Sequence, residues 1–78
     1  NLNDQIINEI KDKLIFYIKS FGPINSNNFN GYSSFPNLNI PWNKYLLIGI
    51  IRSYLSNAFK IKLIGDQYKL FDYKLTLL

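Results

Sequence analysis

Residues 59–78 read Phe59-Lys60-Ile61-Lys62-Leu63-Ile64-Gly65-Asp66-Gln67-Tyr68-Lys69-Leu70-Phe71-Asp72-Tyr73-Lys74-Leu75-Thr76-Leu77-Leu78. Apolar residues and lysines alternate up to the Gly65-Asp66 pair and alternate again after it. Successive side chains of a strand point to opposite faces, so this pattern predicts two antiparallel strands with one apolar and one cationic face. A two-residue turn at Gly65-Asp66 sets Leu63 opposite Tyr68, Ile61 opposite Leu70 and Lys62 opposite Lys69. Carried further, the same register drives Asp72 inward and Tyr73 and Leu75 outward. A bulge over residues 70–72 is therefore expected, returning Tyr73, Leu75 and Leu77 to the buried side. A lone hairpin is marginal in water, so this one must close against structure upstream.

That structure is helical. Ile6, Ile7, Ile10, Leu14, Tyr17, Ile18 and Phe21 recur at spacings of three and four, with Asn8, Glu9, Lys11, Asp12, Lys13 and Lys19 on the other side. The spacing predicts an amphipathic first helix, capped by Asn3 or Asp4 and stopped by Gly22-Pro23. Ile15 and Phe16 fall beside the main stripe and suggest contact on two sides. Ser26 is placed to cap a short second helix over residues 27–33, with Phe29 and Tyr32 turned inward. Residues 34–40 read as a loop. Pro41 suits the first turn of a third helix over residues 42–56, on which Leu46, Leu47, Ile50, Ile51 and Tyr54 form the buried stripe. Tyr45, Ile48, Gly49, Arg52, Ser53 and Ser56 fall on its opposite side. The expected fold is α+β: three helices followed by a C-terminal β-hairpin, in a single domain over residues 1–78.

Seventy-eight residues are near the lower limit for a self-sufficient core, but 47% hydrophobic content with six Phe, six Tyr and one Trp supplies the apolar area. The chain has no cysteine, which excludes disulfides and thiolate metal sites, and no histidine, the commonest metal ligand and general base. It starts at Asn1 and contains no methionine, and we expect a domain excised from a longer protein. Eleven Asn, twelve Ile and eight Lys against one Arg read as the bias of an AT-rich genome. The longest apolar run, residues 45–51, is far short of a membrane span, and no signal-peptide pattern is visible. The expected setting is soluble and intracellular, cytoplasmic or nuclear, with no membrane partner.

Catalysis has little to work with. Asp4, Glu9, Asp12, Asp66 and Asp72 are scattered over a helix face, a turn and a strand, whereas general acid–base work needs groups converging on a pocket. No phosphate loop, dinucleotide fingerprint, zinc pattern or calcium pattern occurs. We expect no enzyme activity and no cofactor. A net charge of +4 and a pI of about 9.4 favour polyanionic partners. On the hairpin, Lys60, Lys62 and Lys69 project from one face, and Lys62 opposes Lys69. Like charges in this position destabilise a sheet, and a phosphate between them relieves the repulsion. The same lysines equally protect a sheet edge from aggregation. On the third helix, Arg52 could address a base edge or a phosphate, while Tyr45, Ser53 and Ser56 could hydrogen-bond a nucleic-acid backbone. Lys44 joins them if it shares their surface. Ile48 and Tyr45 fit a protein contact equally well. Trp42 reads as a loop or core anchor beside Phe35, Leu38 and Ile40. Phe71 either packs on the first helix or stacks on a base between the lysines.

Gly22-Pro23-Ile24-Asn25-Ser26, the helix over 42–56 and the hairpin over 59–77 together resemble the winged-helix superfamily. The resemblance is architectural and spans essentially the whole chain. It implies a third helix in the major groove, with Arg52 and Tyr45 in that role. It also implies a wing whose Lys60, Lys62 and Lys69 touch adjacent backbone or minor groove. Duplex DNA, bound mainly through phosphates, is thus the first candidate partner. A protein partner, or a second copy held through Tyr45, Ile48 and Arg52, is the alternative.

Overall fold

The computed structural model describes the backbone of residues 2–76 and the side chains of residues 2–74. The first helix, α1, spans Asp4–Phe21. Asn3 caps it by accepting the Ile6 N–H at 2.9 Å. Gly22 ends it at φ 88, a backbone geometry that residues with a Cβ rarely adopt, while its own N–H still reaches the Ile18 carbonyl. Ile7, Ile10, Leu14 and Ile18 are buried along the expected stripe. Phe21 belongs to that stripe by spacing but is 77% exposed at the last position of the helix.

The middle segment departs from expectation. Strand β1, Ile24–Asn25, follows Gly22-Pro23 directly. Ser26, expected as a helix cap, is used by the sheet instead. Its N–H donates to the Tyr68 carbonyl, and its hydroxyl accepts the Tyr68 N–H at 3.0 Å. Asn25 then accepts the Asn27 N–H on its side chain and the Asn28 N–H on its carbonyl, closing a turn. No α-helix forms over residues 27–33; a short 3₁₀ helix at Gly31–Ser34 replaces it. Asparagine and glycine are poor helix formers, and the aromatic residues here pack ring against ring instead. Phe29 meets Tyr17 at 5.1 Å and Tyr32 at 4.9 Å, both edge to face. Tyr32 stacks on Trp42, and Phe35 meets Trp42 edge to face at 4.9 Å. Gly31 is buried so closely against Tyr17 and Phe29 that a Cβ there would lie under 3 Å from both rings. Trp42 is held by its indole N–H, which donates to the Pro36 carbonyl at 2.9 Å.

The second helix, α2, spans Lys44–Tyr54 rather than 42–56. Asn43, not the prolyl turn at Pro41, starts it, its side chain accepting the N–H groups of Tyr45 and Leu46. Leu47, Ile48, Ile50 and Ile51 are its buried residues, and Leu55 just beyond takes the buried position expected of Tyr54, which is exposed. Strands β2, Phe59–Ile64, and β3, Gln67–Asp72, pair in the register read from the sequence: Ile61 with Leu70, Lys62 with Lys69, Leu63 with Tyr68. Gly65 takes φ 63 at the first turn position, as a two-residue hairpin of this kind requires.

The expected bulge is absent. Pairing runs unbroken to Phe59 opposite Asp72, and Asp72 is buried. Its burial is stabilised by a capping role: a carboxylate oxygen accepts the Lys74 N–H at 2.9 Å as the chain turns into one helical turn, α3, at Tyr73–Thr76. Tyr73 is exposed, not buried, and the side chains of Leu75 and Leu77 lie outside the described residues.

The sheet has three antiparallel strands in the order β1-β3-β2, because Ile24 pairs with Leu70 and Asn25 with Lys69. The α+β class holds. Three helices followed by a hairpin do not: among the described residues, two helices of more than one or two turns accompany a three-stranded sheet. Ile10 and Leu14 of α1, Leu47 and Ile51 of α2 and Leu70 of the central strand meet, fully buried, at the centre of the core. Among the described residues no helix is long and apolar enough to cross a membrane.

Candidate nucleic-acid interface

The pairing register decides which way each lysine points. Phe59 and Leu70 are buried and Ile61 and Tyr68 pack against the core, so that face of the sheet is internal. Alternation then sends Lys60, Lys62, Ile64, Gln67, Lys69 and Phe71 to the outer face, joined by Asn25 of β1 beside Lys69. No carboxylate stands among these outward positions; Asp72 points inward and Asp66 sits in the turn. Lys62 and Lys69 are directly opposed, a geometry that puts their Cβ atoms about 4.5–5.5 Å apart. Lys60 and Lys62 are exposed because β2 is an edge strand. Lys69 and Phe71 are half-buried because β3 is the centre of the sheet. The Asn25 side chain donates to that of Gln67 across the same face.

The remaining sequence-predicted site residues lie on α2, or just beyond it for Ser56, on the inner side of the sheet. Lys44, half-buried, donates through Nζ to Asn27 Oδ1 at 3.0 Å and to the Asp66 carbonyl at 3.4 Å. The ammonium also lies 5.3 Å from the Tyr45 ring centre. Arg52 is exposed and places its guanidinium 5.4 Å from the Tyr68 ring centre, a cation–π contact within the domain. Tyr45, at 68% exposure, Ser53 and Ser56 face solvent.

Ile48 is a correction: it is 3% exposed and takes no part in any surface. Lys44, Ile48 and Arg52 form one i, i+4, i+8 ridge, and both ends of that ridge touch the hairpin, at Asp66 and at Tyr68. Ile48, between them, is covered. Helical periodicity along α2 does not show this, because the contacts at both ends of the ridge come from a hairpin that follows the helix in sequence.

The eight residues singled out in the sequence therefore form two groups, not one. Lys60, Lys62 and Lys69 share the outer face of the sheet, while Lys44, Tyr45, Arg52, Ser53 and Ser56 belong to the α2 side. Gly49, on the exposed side of α2, has open space where a Cβ would stand. A further feature lies at the end of α1. Phe16 and Phe21 are exposed and line a groove of about 620 Å³ with Tyr17, Pro23 and Phe29. The signal available was the position of Phe16 beside the main stripe of α1. Among the described residues no group of three His, Cys, Asp or Glu is placed to hold a metal ion.

No protein-family model, curated protein or solved structure matches this chain. Nothing in these comparisons identifies it with the winged-helix superfamily.

Proposed function

We propose that this domain is a non-catalytic nucleic-acid-binding module that engages phosphates through the outer face of its sheet. The observation that carries the reading is the Lys62–Lys69 pair, opposed across the hairpin, with Lys60 on the same face and no acid among the outward strand positions. Two ammonium groups held side by side raise the energy of the free sheet, and an anion lying between them lowers it. Lysine contacts of this kind give affinity without base selection, so the expected binding is strong in low salt and indifferent to sequence. An intracellular setting belongs to the same proposal.

The α2 side supports this role less well. Both of its charged groups, Lys44 and Arg52, already contact the hairpin. The protein-contact alternative through Tyr45, Ile48 and Arg52 loses Ile48 to the core.

Comparing two variants by fluorescence anisotropy with a labelled oligonucleotide tests the choice of face. Replacing Lys60, Lys62 and Lys69 by glutamine should weaken binding at low salt, whereas Tyr45→Ala with Arg52→Gln should change it little. The reverse ranking would move the interface to α2, and absence of binding by the unaltered domain would end the proposal.

A further inference from the structure

The aromatic groove adjoins the lysine face. It forms where the end of α1 meets β1 and the turn that follows, and its size falls within the range of small-ligand sites, about 300–1,000 Å³. Phe21 is 77% exposed and Phe16 62% exposed, while Tyr17 and Phe29, locked edge to face, are half-buried between them and the core. The exposed amides of Asn28 and Asn30 stand at its rim. Asn25 belongs to both surfaces: it lines the groove, and it also pairs with Lys69 and bonds Gln67 on the outer face of the sheet. A ligand leaving the groove past Asn25 therefore arrives at Lys69 and then Lys62.

We infer that the groove receives unstacked bases of a single-stranded nucleic acid whose phosphates run onto Lys69, Lys62 and Lys60. The inference rests on the proposed function and narrows its ligand class. Three chemistries coincide here: flat aromatic surface for stacking, amides that both donate and accept toward base edges, and adjacent positive charge for phosphate. A duplex keeps its base faces covered and gains nothing from the two exposed rings. An apolar peptide would use the rings, but it has no need of the cationic border.

The test uses the whole chain with two labelled probes, an oligothymidine of about 10 nucleotides and a blunt duplex of the same length. Phe21→Ala and Phe16→Ala are the variants; both side chains are exposed, and far-UV circular dichroism verifies that the fold is kept. Each stacked base lost should weaken oligothymidine binding on the order of 5- to 150-fold, with duplex affinity unchanged. Wild-type oligothymidine affinity in both Phe variants, with binding still lost in the Lys62→Gln/Lys69→Gln variant, would overturn the groove assignment and leave phosphate binding by the sheet intact. Failure of the unaltered chain to bind either probe would overturn both. Self-association that Phe21→Ala abolishes, without any change in oligothymidine affinity, would assign the groove to a second copy of the chain and overturn the inference.

Discussion

Replacing Lys62 by glutamine acts on two equilibria with opposite sign. In the free domain Lys62 and Lys69 face each other in register on a strand pair, and removing one charge recovers the cost of a like-charge cross-strand pair, about 0.2–1 kcal/mol. For a domain of this size each kcal/mol moves the melting temperature by about 4–8 °C, so the expected rise is roughly 1–8 °C. In the complex the same substitution removes one phosphate contact, lowering the slope of log affinity against log salt by about 0.7 on a single strand. Lys69→Gln should act likewise. In the double variant the second substitution should gain less than it does alone, because the repulsion is already gone. The gain should also fade in salt, since the screening length falls from about 10 Å at 0.1 M to about 3 Å at 1 M. Thermal unfolding of the four proteins at low and high salt, with anisotropy titrations of each, measures every quantity needed. Strictly additive stabilities, or a gain that persists at high salt, would show that the two lysines do not feel each other. An unmoved salt slope would show that Lys62 touches no phosphate.

Other expectations follow from single positions. Gly49→Ala should stabilise the domain by about 1 kcal/mol, since the glycine lies mid-helix with open space at its Cβ position, and nucleic-acid affinity should not change. Weaker binding in this variant would implicate α2. Tyr32→Phe should raise stability by about 1 kcal/mol, because the phenol oxygen is buried with no hydrogen-bond partner among the described residues and its removal ends a desolvation cost. Burial raises the Tyr32 phenol above its ordinary value of 10.0, so the folded state holds that proton more tightly than the unfolded chain. The unaltered domain should therefore lose stability relative to Tyr32→Phe as pH climbs past 10, a difference that denaturant titrations at pH 8 and above pH 10 would reveal. Ile48→Glu should unfold the domain, visible as loss of cooperative melting, rather than selectively abolish a partner contact, because a charge would enter a position that is 3% exposed.

Several signals were readable because the partner of the residue lies close in sequence. The Gly65-Asp66 turn dictates the register of β2 against β3, so the opposition of Lys62 and Lys69 follows from chemistry within a few residues. Asn3 and Gly22 bound α1 for equally local reasons. The caps at Asn43 and Asp72 are local and were still hidden, but most of the rest depended on contacts with distant segments. Ser26 has the profile of a helix cap, and only Tyr68, 42 residues away, makes it a sheet residue. Phe29 and Tyr32 have helical spacing, but rings from α1 and the Trp42 loop hold them in a turn instead. The bulge was inferred to keep Asp72 out of the core. The strand ends there, and the carboxylate caps the next turn from inside. The candidate site divides along the same line. Three lysines on one sheet face could be read from alternation, whereas their separation from Lys44 and Arg52 depends on how the hairpin lies across α2.

The most direct measurement is the salt dependence of oligonucleotide binding by the unaltered domain and by the variant with Lys60, Lys62 and Lys69 all replaced by glutamine. The account predicts a steep linear loss of log affinity with log salt for the first, and a slope shallower by about 2 on a single strand for the second, with the fold intact. Equal slopes for the two proteins would contradict it, because the charge on this face of the sheet would then have no part in binding.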